Sequence, residues 1–318
     1  MTERAVKGRG ECDWQHLFTI TVTFHPDLSL LSKQLTALPP DCLKLVIDNA
    51  SPADARQGIR ELSEAIPNIR IIVNSSNLGL AGAVNQGVKQ GSTMSPNARY
   101  CLLLDQDSEP QPGSVARLVS AFEALERAGE RVGCVGPTLV DAVTGLSHGF
   151  HQATLWRWRR VYPAPNAAVA VPCTNLNGSG TLVPVGLFLR LGGLDERLFI
   201  DHVDTEWAFR VLAQGYTLWG VPQAVFKHRM GQGSLSYWLC GWRVWPARSA
   251  ARHRFLFRNA MWLTRRSYVP TVWKSWALVK LTLTFAVHGL FDPQRGAQMA
   301  AMLQGLREGF RAPPMETP

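Results

Sequence analysis

Two carboxylates one residue apart, Asp105 and Asp107, follow the apolar run Leu102-Leu103-Leu104. In an extended strand end, a spacing of two sends both side chains to one side. Two hard oxygen donors there suit a divalent cation such as Mg²⁺ or Mn²⁺, with phosphate oxygens and water completing its shell. That is the chemistry of a protein that handles a nucleotide diphosphate. The same Asp-x-Asp also serves as a plain turn or helix cap, so its meaning depends on its surroundings.

The elements around the pair set its direction. Runs 17–24, 43–47, 69–73, 100–104 and 132–135 are apolar and read as buried strands. Between them, 28–38, 52–65, 80–89 and 113–128 read as helices, with Pro39-Pro40 as a stop and Pro52 as a first-turn residue. Strands alternating with helices predict an α/β protein with a doubly wound parallel sheet. Such sheets bind ligands beyond the carboxyl ends of their strands. Three strands end there in groups suited to a nucleotide: Thr23-Phe24-His25, Asp48-Asn49-Ala50-Ser51 and Asp105-Gln106-Asp107-Ser108. The second half opens irregularly over 147–172 and approaches a strand through Asn177-Gly178-Ser179-Gly180. A short helix follows at 187–193. A longer one opens near Phe199 and ends at Gly215-Tyr216, and a short strand at 224–226 delivers His228.

The 318 residues are 46% hydrophobic and 18% charged, a balance that excludes a disordered chain. Six cysteines (Cys12, Cys42, Cys101, Cys134, Cys173, Cys240) form no C-x-x-C pair. They read as buried thiols of a reducing compartment, not as a disulfide frame or zinc site. Residues 1–16 lack an apolar signal core, so the expected location is cytoplasmic. Charge is uneven. Residues 229–318 hold 13 Lys and Arg against 3 Asp and Glu, and residues 1–228 hold 20 against 21. The basic third therefore has a different partner from the rest.

In this order and spacing the residues resemble the inverting family 2 glycosyltransferases of GT-A fold, most of all bacterial rhamnosyltransferases, over 18–266. The resemblance implies a GT-A, Rossmann-like, mostly parallel sheet. It places Thr23, Phe24, His25, Asp48, Asn77, Gly79, Asp105, Gln106 and Asp107 on the donor side, with Asp48 at the pyrimidine base. Asp107 and His228, with Asp105 close by, would hold Mg²⁺ or Mn²⁺ as a Lewis acid on the leaving diphosphate. Gly192-Gly193-Leu194-Asp195 matches the stretch before the acceptor motif. Asp204 takes the position of general base, with Val203 where the commonest form has Glu. Gly180, Glu206 and Trp207 fall on the acceptor side, Trp207 stacking on a sugar face. Gly231 and Ser234 follow His228 as in the family. The implied donor is a dTDP- or UDP-sugar, best read as dTDP-rhamnose, and the acceptor a hydroxyl of a lipid-linked glycan or lipopolysaccharide.

Two other classes compete. A haloacid-dehalogenase-like phosphatase would use Asp105 as nucleophile, but that pattern wants Thr or Val where Glu109 stands and puts its motif on the first strand. A non-catalytic scaffold on the same fold would not need Asp105, Asp107, Asp204 and His228 together. The expected organisation is a catalytic domain over 1–235, with a nucleotide-sugar half at about 17–110 and an acceptor half at about 130–235. A basic, Trp-rich helical extension follows over 236–318. Its Trp and Tyr interleave with Arg and Lys, the mix of an anionic membrane surface, which makes nucleic acid the poorer partner. The apolar stretch 276–291 is shorter than the roughly 20 residues a spanning helix needs, so it is expected to lie on the inner face of the cell membrane. A helical subdomain packed on the catalytic domain, or a homodimer contact, is the alternative.

Overall fold

The computed structural model describes residues 14–164, 167–228, 234–238 and 241–311; Cys12, Gly231 and Cys240 lie outside them. The first half runs β1 (Leu17–Thr23), α1 (Leu28–Ala37), β2 (Leu43–Asp48), α2 (Ala53–Ala65), β3 (Ile69–Val73), α3 (Gly79–Met94), β4 (Tyr100–Asp105), β5 (Ser108–Pro110) and α4 (Ser114–Arg127). The second runs β6 (Val132–Asp141), β7 (Phe150–Ala153), β8 (Trp158–Val161), β9 (Val171–Cys173), β10 (Thr181–Pro184), α5 (Val185–Arg190), α6 (Val203–Ala213) and β11 (Thr217–His228). After these come the hairpin β12 (Ser234–Trp238) and β13 (Trp242–Pro246), then α7 (Ala250–Thr264), α8 (Thr271–Phe291) and α9 (Arg295–Arg311).

Nine strands form one sheet, ordered β3-β2-β1-β4-β10-β6-β11-β5, with β9 added to β11. β1 to β4 pair in parallel, as the alternation predicts. The second half departs from a pure doubly wound sheet: β10 lies antiparallel between β4 and β6, and β5 and β9 lie antiparallel to β11. The strands' period of two sorts their side chains to opposite faces. Phe18, Ile20, Leu45, Ile47, Cys101 and Leu103 pack in one core with α3, α5 and α6. Leu17, Val46, Tyr100, Leu102 and Leu104 pack in the other with α1 and α4. Cys42, Cys101, Cys134 and Cys173 are buried free thiols.

Three expectations change. Residues 150–161 form the hairpin β7–β8, not irregular chain; the alternating Trp156-Arg157-Trp158-Arg159 disguised a strand with Trp158 as its inward residue. The helix bearing Asp204 begins at Val203, not near Phe199. The basic extension packs on the catalytic domain, the alternative raised from the sequence. Trp273 and Ala277 of α8 are buried in the sheet's core, with Trp262 and Trp276 packed against it. Its arginines are also largely engaged: Arg252 with Asp201, Arg254 with Glu308, Arg266 with Asp195 and Glu206.

Candidate active site

The donor edge is built where β1, β2 and β4 end. Thr23 lies opposite Asp48 in the parallel register. Its hydroxyl donates to Asp48 Oδ1 over 3.1 Å, and the Ser51 amide donates to Oδ2 over 3.1 Å. Asp48 is buried, and each of its oxygens accepts one hydrogen bond, which fixes the carboxylate at the strand edge. The exposed Phe24 is tied to the next strand end, its amide donating to Gln106 Oε1 over 2.8 Å, while the His25 amide donates to Ser51 Oγ over 3.0 Å. Asn49, read from the sequence only as part of a strand end, joins this edge to the Asn77 loop. Its Nδ2 donates to Asn77 Oδ1 and to the Gly79 carbonyl over 2.9 and 3.0 Å, and its Oδ1 accepts from the Leu78 amide over 2.9 Å. Gly79 has φ +75°, and a Cβ there would stand 2.6 Å from the Phe199 carbonyl. Glycine thus lets the donor loop touch the loop before α6, where Leu80 N–H donates to that carbonyl over 2.7 Å.

The carboxylate pair meets His228 because β5 pairs with the end of β11, setting Ser108 opposite His228. His228 Nδ1 lies 3.2 Å from Asp107 Oδ1 and 3.2 Å from Ser108 Oγ, and its Nε2 lies 3.9 Å from Asp105 Oδ2. Ser108 is in turn hydrogen-bonded to Ser179. Gln34, on the buried face of α1, clamps the turn: Nε2 donates to the carbonyls of Asp105 and Ser108, and Oε1 accepts from Thr21 over 2.9 Å. One polar residue among Leu28, Leu31, Leu35 and Leu38 was the available signal for it. Burial raises the Asp105 carboxyl; His228 opposes that rise and Asp107 adds to it. Burial alone would lower His228, but the Asp107 hydrogen bond and both carboxylate charges raise it overall.

Two carboxylates and an imidazole are a donor set that fits Mg²⁺ or Mn²⁺. Among the described residues no group of three or more His, Cys, Asp or Glu forms a ready cage for a metal ion. Here Asp107 and His228 bond to each other, so a cation would have to displace that hydrogen bond.

Asp204 sits in the first turn of α6. Its Oδ1 accepts from the Thr205 amide over 2.8 Å and its Oδ2 from the Gly178 amide over 3.2 Å. Burial pushes its carboxyl up to about 6 against those two hydrogen bonds, and the charges of Asp105 and Asp201 add to the rise. The approach to it is strained. Phe199, Asp201 and His202 have φ of +63°, +62° and +62°, each costing on the order of 1–3 kcal/mol unless the surroundings impose it. α7 imposes it. Asn259 Nδ2 donates to the carbonyls of Leu198, Ile200 and Asp201 over 2.8, 2.8 and 2.9 Å, and Arg252 grips the Asp201 carboxylate over 2.7 Å.

Glu206 and Trp207, expected on the acceptor side, are instead buried, two and three residues beyond Asp204 on α6. Glu206 binds Arg210 through two hydrogen bonds of 2.9 and 2.8 Å, pairs with Arg266 over 2.8 Å and accepts from the Tyr268 hydroxyl over 2.6 Å. Arg266 also pairs with Asp195. Burial would raise Asp195, but its hydrogen bonds to Arg197 and Arg266 hold it at about 2. Trp207 packs on Phe188 with ring centroids 4.9 Å apart. Arg266→Ala should therefore lower unfolding stability by about 3–5 kcal/mol, since it leaves two buried carboxylates short of a partner; urea denaturation measures it.

Asp204 faces a cavity of about 130 Å³ lined by Pro137, His148, His151, Asn175 and Asn177, among others. Asn175 Oδ1 is buried there without a hydrogen-bond partner among the described residues, an acceptor left for a ligand's hydroxyl. Burial, then the charge of Arg160, pushes His148 and His151 down to about 4, so both are neutral at pH 7. The hairpin that carries His151 was unrecognised in the sequence, so neither histidine stood out. Gly180, with φ +78°, brings its amide to the Leu103 carbonyl over 2.7 Å, and a Cβ there would stand 2.6 Å from Pro137. It shapes the cavity wall by that approach.

Residues 30–180 match the family model described as Glycosyl transferase family 2. The chain is a glycosyltransferase similar to that family over those residues. This glycosyltransferase is 25% identical over 299 residues to the dTDP-rhamnosyl transferase RfbF of Shigella flexneri, spanning 92% of this chain and 96% of that protein. It is 26% identical over 208 residues to an N-acetylglucosaminyl-diphospho-decaprenol L-rhamnosyltransferase of Mycobacterium tuberculosis, spanning 58% of this chain and 65% of that one. Its fold is that of the mannosyltransferase PcManGT from Pyrobaculum calidifontis, solved with GDP-Man and Mn²⁺, with a TM-score of 0.53 at 17% identity over 93% of this chain and 87% of that chain.

Proposed function

We propose that this glycosyltransferase moves L-rhamnose from dTDP-rhamnose to a hydroxyl of a lipid-linked glycan or lipopolysaccharide, inverting the anomeric centre, with a divalent cation and with Asp204 as general base. The observation that carries the reading is the placement of Asp204. Its carboxyl, raised to about 6, forms part of the wall of a cavity that also holds an unpartnered amide oxygen. The rhamnosyl donor and lipid-diphosphate acceptor named for the two relatives support the choice of substrates.

The chain's own residues divide the work. The edge formed by Thr23, Asp48, Asn49 and Asn77 seats the nucleoside, with Phe24 and Gln106 beside it. Asp107 and His228, with Asp105 next to them, would hold the cation, which supplies charge neutralisation for the departing diphosphate. Asn175 orients the acceptor sugar. Asp204 takes the proton of the attacking hydroxyl as the new bond forms. One carboxylate on the acceptor side and no nucleophile of the protein's own make the displacement a single inverting step.

A panel of nucleotide sugars offered with a lipid-linked N-acetylglucosamine acceptor tests the assignment. dTDP-rhamnose should be consumed fastest and the product should carry the inverted linkage. Consumption of no nucleotide sugar, or a phosphoryl group trapped on Asp105, would overturn it.

Membrane attachment is a further part of this reading, on changed grounds. No helix among the described residues is long and apolar enough to cross a membrane. The outer face of α8, with Leu278, Val279, Leu283 and Leu290 exposed, is an uncharged apolar strip suited to lie in a bilayer surface. Leu283→Asp should reduce co-sedimentation with anionic vesicles and leave the melting temperature within a few degrees. An unchanged vesicle-bound fraction would favour a second copy of the chain on that strip.

A further inference from the structure

Beyond the cavity that holds Asp204, four cations converge on one side. Arg160 on β8 donates from Nε to His151 Nε2 over 3.0 Å. Trp158, on the same strand, stacks on His151 at 5.4 Å and meets Trp276 of α8 at 6.1 Å. One turn along α8, the Lys280 ammonium lies 4.9 Å from the Trp276 ring. Arg248 and Arg252, at the start of α7, face Asp201 over 3.7 and 2.7 Å. Asp201 is the one carboxylate among the described residues that pairs with any of the four, and Lys280 has no carboxylate partner among them. Burial and then the nearby charges of Arg248 and Arg160 push Lys280 down to about 8, a sign that these groups repel one another across a shared space. A protein that packs like charges together without partners has a stability cost that an anion relieves.

We propose that Arg160, Arg248 and Lys280, with Arg252 at the donor end, form a subsite for the phosphate groups of the acceptor, so that the sugar in the Asp204 cavity is recognised together with the diphosphate that links it to its lipid. The proposal deepens the function put forward above and rests on its reading of that cavity as the acceptor side. The planar guanidiniums match phosphate oxygens in pairs, and the lysine adds a compact charge. Contacts run from the Asp204 cavity through His151 to Arg160 and Trp158, and from Trp158 to Trp276 and Lys280 of α8, the order in which sugar, diphosphate and lipid tail follow one another in such an acceptor.

The test uses the full chain and inorganic diphosphate as probe, with chelator present to silence the carboxylate–His228 site, and reads tryptophan fluorescence, because Lys280 adjoins Trp276. Binding should be saturable. Lys280→Gln and the surface change Arg160→Gln should each weaken it by about tenfold, the size of one charged hydrogen bond, while Lys280→Arg restores most of it. Unchanged affinity in both neutral variants would overturn the site. With a lipid-linked diphosphate acceptor, both variants should raise acceptor KM by a similar factor. A rise in donor KM instead would give these charges to the donor and overturn the proposal. Anionic vesicles separate the remaining source of phosphate: vesicle affinity should hold in both variants, and its loss with diphosphate binding unchanged would mark a headgroup patch instead. If no lipid-linked acceptor is ever glycosylated while the variants still lose diphosphate, the proposed function falls and the anion site stands.

Discussion

Asp204→Asn should lower kcat by roughly 10²–10⁴-fold, the usual contribution of a positioned general base, with donor KM little changed. Asn keeps the shape, and its one amide oxygen can still accept from the Thr205 amide, although its NH₂ cannot accept from Gly178; an unchanged circular dichroism spectrum then shows that lost activity reports lost proton transfer and not a displaced helix. The pH profile follows from the raised carboxyl. kcat/KM should climb with unit slope up to about pH 6, where Asp204 is half ionised, and level off above it. The stability effect has the opposite sense. A folded-state pKa above the unfolded value of 3.8 means that the native state holds the proton more tightly. Stability is therefore lost as pH rises from about 4 to about 6, and the deficit persists above that. Asp204→Asn should melt higher than the unmodified chain at pH 8 and close to it at pH 4. If Glu206→Gln instead gave the larger kcat loss with no loss of stability, the base would lie two residues further along.

Asp107→Ala should cost roughly 10³-fold in turnover, since a cation on a leaving diphosphate supplies several kcal/mol, and should weaken nucleotide diphosphate binding as well. Chelator should do the same to the unmodified chain, with recovery on adding Mn²⁺ or Mg²⁺. His228→Ala should follow in the same direction, because its imidazole nitrogens face both carboxylates. Full turnover in excess chelator would remove the cation from the mechanism and leave Asp107 and His228 a mutual hydrogen bond with a structural purpose.

The parallel half of the sheet was legible in the sequence because each strand there is a short apolar run followed by a polar stop, and the Asp-x-Asp falls at one of those stops. Its meeting with His228 could be ordered from the sequence but not placed. Contact depends on β5, three residues long, pairing across 120 positions with the end of β11. Glu206 and Trp207 show the opposite failure. On a helix, residues two apart face different ways, so adjacency to Asp204 in the chain put them in the interior. His148, His151 and Asn175 were missed because the hairpin that gathers them alternates Trp with Arg, and Arg side chains blurred the apolar period. The basic charge of the last third was visible, but whether an arginine faces lipid or a buried carboxylate depends on a fold that brings Arg266 to residues 60 and 71 positions earlier.

The grip of Asn259 on three consecutive-region carbonyls before Asp204 bears on how this enzyme can be taken apart. The proposed base is aimed by a helix that follows the sheet in sequence, so the last third is not an exchangeable cassette. A chimera that takes 1–235 from this chain and its helices from a relative would inherit a base loop without its matching clasp, and should fold yet turn over poorly until Arg252 and Asn259 travel with residues 198–204. Acceptor preference and the aim of the base would then be inherited together, as one unit of recombination.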